Sequence, residues 1–103
     1  ARNPAREIVI AGEPGSGDTR RMLRTVRGRF MPGALVVLHA GGERGREIEK
    51  LAPHLRGMDP RGGKATAYLC ASGACALPVT ATRDLEALLD VRMRGEETER
   101  GHR

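Results

Sequence analysis

Apolar residues fall into three short unbroken runs and three helically spaced segments, and the two kinds alternate along the chain. Glu7 to Gly12, EIVIAG, is β-branched and ends at glycine, as a strand buried on both faces does. Ala34 to Ala40, ALVVLHA, repeats that pattern, and Ala65 to Cys70, ATAYLC, gives the third strand. Between the first two, Met22, Leu23, Val26 and Phe30 recur at helical spacing behind Asp18, an expected N-cap. Ile48, Leu51, Ala52 and Leu55 mark a second helix ending near Gly57. Pro53 within it predicts a kink or an early stop. Leu85, Leu88 and Leu89 define the third helix, opened by Thr82 or Asp84, and Leu77 to Val79 is a candidate short edge strand.

Alternation of this kind predicts an α/β fold in βαβαβα order. The expected sheet is small and parallel, of three strands in order 2-1-3 with a fourth short edge strand, and carries three helices. Residues 1–91 read as a single domain, and 92–103 as a charged, disordered tail. Strands apolar on both faces need cover on both faces, and three helices are few. An apolar patch is therefore expected to remain for a partner. With the start at Ala1 rather than Met, the expected partner is the remainder of a longer parent chain.

Composition narrows the function classes. Phe30 and Tyr68 are the only aromatic residues, so the core must be aliphatic. No apolar run approaches the roughly 20 residues of a membrane helix, so a soluble, cytoplasmic protein with no membrane contact is expected. The net charge is +5, with 18 basic residues. Arg20, Arg24 and Arg27 line the outer face of the first helix, which makes weak nucleic-acid binding a lesser alternative. No aromatic residues interleave with them and no nucleic-acid motif is present.

GEPGSGDT, from Gly12 to Thr19, has the spacing of a phosphate-binding loop, but Asp18 stands where that loop carries lysine. A carboxylate there repels phosphate, which excludes nucleotide binding. Ser16 and Ser72 sit on no nucleophile elbow, so hydrolytic chemistry has no support and no catalytic residue is assigned. Cys70 and Cys75 are the remaining candidates. If the chain reverses between them they face one another, which leaves three readings open. They are packed structural thiols, a reversible disulfide, or half of a zinc site completed by His39 at the end of the neighbouring strand.

At the third strand the sequence resembles a known family. ATAYLCASGACALPVT, with Tyr68, Cys70, Cys75, Pro78 and Thr80, is similar to the C-terminal signature of the spermatogenesis-associated protein 20 family. The resemblance runs from about Arg6 to Leu89. It implies a parent chain with a thioredoxin-like N-terminal domain and a six-hairpin glycosidase-like α-barrel, both outside these residues. No catalytic position of that family maps here, and no cofactor is implied. The expected role is a non-catalytic accessory domain docked on those parts, with a redox-responsive or metal-binding cysteine pair as the alternative.

Overall fold

The computed structural model describes residues 6–29, 33–71 and 74–101, with side chains as far as Val91. The elements are β1 (Arg6–Ala11), α1 (Gly17–Arg27), β2 (Ala34–His39), α2 (Gly42–Leu51), a 3-10 turn (Pro53–Leu55), β3 (Thr66–Ala71), β4 (Ala74–Cys75) and α3 (Thr82–Gly101). Phe30, expected on the first helix, lies outside the described residues. α3 continues through 92–101, the stretch that reads as a polar tail, although its side chains there are not described. No helix among the described residues is long and apolar enough to cross a membrane.

The sheet corrects the expected architecture. It has four strands in order β2-β1-β3-β4 and is mixed rather than parallel. β1 and β2 are parallel, as a crossover through α1 requires, but β3 runs antiparallel to β1. The reason lies after α2. That helix stops at Leu51, where Ala52 leaves helical geometry and Pro53 opens the 3-10 turn. The loop 56–65, with Gly57, Gly62 and Gly63 at positive φ, then returns the chain to the end where β2 finished. Thr66 therefore pairs with Ala11, which itself pairs with His39.

Four side chains hold that return loop. Asp18 accepts the Ala65 N–H at 2.8 Å, and Thr66 Oγ1 accepts the Arg61 N–H at 2.8 Å. Tyr68 donates its hydroxyl to the Asp59 carbonyl at 2.6 Å, and His39 Nδ1 meets the Met58 carbonyl at 2.6 Å. Each bond satisfies a loop backbone group that no sheet ladder reaches.

β4 also differs from expectation. The edge strand is Ala74–Cys75 itself, and of Leu77 to Val79 only Val79 bridges back, to Ala67. One extra residue lies between the Ala76–Leu69 and Val79–Ala67 contacts, a bulge at Leu77-Pro78. Proline has no N–H to give a ladder, so it sits where the ladder is interrupted.

Two apolar clusters flank the sheet. Ile8, Ile10, Ala67 and Leu69 face α1 and α3 through Met22, Val26, Leu85 and Leu89. Val9, Ala11 and Tyr68 face α2 and the 3-10 turn, packing on Leu55. This second side is the thinner one. β2, expected to be buried on both faces, is an edge strand whose Leu35 and Val36 are 47% and 38% exposed.

α1 starts at Gly17 with Ser16 as N-cap, two residues ahead of the expected cap, and Asp18 is its second residue. The Asp18 carboxylate is held below the usual carboxylate range, first by the Ala65 N–H and then by the Ser16 hydroxyl, against a smaller opposing effect of burial. A depressed folded pKa means that this stabilisation is present above about pH 4 and lost as pH falls through the folded value. Asp18→Asn is expected to lower the urea midpoint at pH 7 and to flatten its decline between pH 5 and pH 2. An unchanged slope over that range contradicts the assignment.

Candidate functional site

A cluster of three potential ligand side chains lies on the α2 side of the sheet, at the C-terminal end of β2. His39 is 2% exposed there, and both its ring nitrogens are engaged. A carbonyl can only accept, so Nδ1 carries a proton and donates it to Met58. Nε2 lies 2.7 Å from Glu49 Oε2 on α2. Asp59, next to Met58 in the return loop, brings a second carboxylate. One ring nitrogen of His39 and one carboxylate oxygen from each of Glu49 and Asp59 lie within 4.8 Å of one another.

The loop carrying Met58 and Asp59 is anchored by Tyr68, whose hydroxyl also accepts from Arg61 Nε at 3.3 Å. That contact and the Asp59 charge hold the Arg61 guanidinium above its ordinary value. Tyr68 thus acts from β3 on the geometry around His39. A phenylalanine in its place would leave the Asp59 carbonyl without this donor.

The cysteines lie elsewhere. Cys70 and Cys75 are opposed across β3 and β4 with Cα atoms 3.9 Å apart, and a disulfide joins them. Cys70 is level with Glu7, at the start of β1, whereas His39 is level with Ala11, at its end. Four residues of strand separate the two levels, about 13 Å at the usual rise, with one further strand between them. The expected grouping of Cys70 and Cys75 with His39 is therefore not formed. It presumed parallel strands, whose C-terminal ends share an edge, and β3 runs the other way.

His54 likewise takes a separate partner, with Nε2 2.8 Å from Glu7 Oε1. Pro78 sits at the bulge after β4, and Thr80 is exposed ahead of α3. Arg20, Arg24 and Arg27 are exposed on α1, as their spacing predicts. Glu49 and Asp59 escaped the sequence reading because charged residues on helices and loops resemble a solvated surface. Glu49 follows Ile48 at the boundary of the buried stripe, the one hint of its inward position.

Comparison with known proteins gives one consistent similarity. Over 84 residues the chain is 30% identical to spermatogenesis-associated protein 20 of rat, mouse and human. The chain is related to that family. The aligned part is 82% of this chain but only 10% of the rat and mouse proteins and 11% of the human one. The chain thus spans about a tenth of the length of its spermatogenesis-associated protein 20 relatives. No family model and no solved structure matches it.

Proposed function

We propose that this chain is a non-catalytic accessory domain that docks on the remainder of a longer polypeptide. In that reading its partners are the thioredoxin-like and α-barrel parts implied by the family resemblance. The observation that carries it is the bare apolar border formed by β2 and α2. Among the described residues β2 has no neighbour on its outer side in the sheet, yet it is apolar and six residues long. Long, apolar edge strands invite pairing and are normally blunted by charge or covered. Leu35 faces the α2 side and Val36 the α1 side, and Leu51 at the end of α2 is 87% exposed. The tenfold greater length of the relatives supplies ample chain to cover this border.

Two measurements test the proposal. An antibody to this segment is expected to detect a cellular protein several times larger than 11.1 kDa. A photo-cross-linking residue at position 51 of that protein is expected to capture peptides from elsewhere in the same chain. A cellular band at the mass of the segment alone, or cross-links that stay within the segment, overturns it.

A second reading rests on the disulfide, since Cys75 is exposed to reductant. Two external thiols would be oxidised to their own disulfide while Cys70 and Cys75 become thiols. Loop-closure entropy for so short a loop makes the bond worth about 2 kcal/mol. The expected outcome is no titratable thiol before reduction, two after it, and a corresponding drop in urea midpoint. Two thiols in the untreated protein contradict this.

A further inference from the structure

We propose that His39, Glu49 and Asp59 form a site for one divalent first-row transition ion, independent of the docking border and of the disulfide. The argument starts from protons. The Met58 carbonyl fixes the Nδ1–H of His39, which leaves Nε2 to present its lone pair to the Glu49 carboxylate at 2.7 Å. This backbone bond to the far ring nitrogen is the one that orients histidine ligands in metal sites. Lone pairs facing one another at that distance need a cation between them.

A proton on Nε2 would satisfy the His39–Glu49 contact alone. It leaves the Asp59 carboxylate, which has no hydrogen-bond partner among the described residues, beside a second carboxylate. Arg61 feels the Asp59 charge but directs its Nε to the Tyr68 hydroxyl rather than to that carboxylate. A divalent ion about 2.0–2.2 Å from each donor would engage all three side chains and balance both negative charges. The three donor atoms lie within 4.8 Å of one another, and gathering them to the roughly 3 Å separation of donors around one ion takes a movement of the exposed Asp59 side chain.

The donor set chooses the class of ion. One imidazole with two carboxylates suits zinc, iron(II) or manganese, whereas calcium and magnesium prefer oxygen alone. Three elements hold the ligands: the end of β2, the last turn of α2, and a loop anchored through Tyr68. Gly45 lets α2 approach, because a Cβ there would meet the Ala40 carbonyl and lie 3.6 Å from His39 Nε2. Three protein ligands leave a coordination position open on the side where Asp59 is exposed.

The test is a titration of the full 103-residue chain, stripped of metal, with zinc followed calorimetrically at neutral pH. Cobalt(II) then serves as a coloured probe of coordination number. The expected result is one zinc per chain, with visible cobalt bands of a four- or five-coordinate ion. Asp59→Asn, an exposed change that leaves the fold intact, is expected to weaken zinc at least tenfold, and Glu49→Gln more. Circular dichroism confirms that both variants are folded. Absence of stoichiometric zinc binding, or wild-type affinity in both variants, overturns the proposal.

Discussion

Gly45→Ala is expected to destabilise the chain by about 2 kcal/mol, although glycine-to-alanine in a helix interior normally stabilises by about 0.5–1 kcal/mol. The reversal comes from what the added methyl group meets. Gly45 is buried in the first turns of α2, and its Cβ would overlap the carbonyl oxygen of Ala40, with the carbonyl carbon at 3.2 Å. Both are backbone atoms of the short link between β2 and α2, so no rotamer change relieves the contact. Either α2 moves away from the sheet or the link distorts, and overpacking of this kind costs about 1–3 kcal/mol. Gly15→Ala is the control, since a Cβ there meets nothing within 4 Å and the backbone is not at positive φ. It is expected to be neutral or slightly stabilising. Urea midpoints for the two variants check the contrast, and a Gly45→Ala chain as stable as the parent refutes the packing argument.

Much of the fold is legible from apolar periodicity, because each regular element has to bury a face and its sequence records which one. β1, β2, α1 and the break at Pro53 follow from such local patterns. The direction of β3 does not, since an apolar strand reads the same whichever way it runs. That direction is set by the return loop, through contacts of Asp18, His39 and Tyr68 with loop residues 9 to 47 positions away. No local pattern encodes them. One misread direction also moved the candidate site, because it placed Cys70 at the same sheet edge as His39. His39 itself was legible as a polar residue ending an apolar strand. Its companions Glu49 and Asp59 were not, since they become neighbours only once the loop has folded back. β2 was misread for a different reason. Its pattern demands cover on both faces, and the sheet of this chain leaves it at an edge.

Leu55→Ala is expected to cost about 2–5 kcal/mol, whereas Leu51→Ala should stay within about 0.5 kcal/mol in the 103-residue chain. In an unbroken helix Ile48, Leu51, Ala52 and Leu55 would share one stripe against the sheet. The break at Ala52-Pro53 separates them. Leu51 ends α2 pointing outward at 87% exposure, and the tighter 3-10 turn swings Leu55 inward to 0%. Leu55 then becomes the aliphatic centre of the thinner cluster, against Val9, Ala11 and Tyr68. Removing most of its side chain leaves a cavity beside the strand that carries Tyr68, whose hydroxyl anchors the loop of Met58 and Asp59. A domain of this size has about 5 kcal/mol or little more to lose, so the variant should be close to its unfolding midpoint at ambient temperature. Thermal unfolding of the two variants checks the difference, and equal losses would mean that the stripe is not broken at Pro53. In the longer polypeptide the order of effects should narrow, because Leu51 would there be buried at the docking border. A Leu51→Ala change that lowers the stability of the whole protein, while leaving the 103-residue chain unaffected, would separate docking from folding at one side chain.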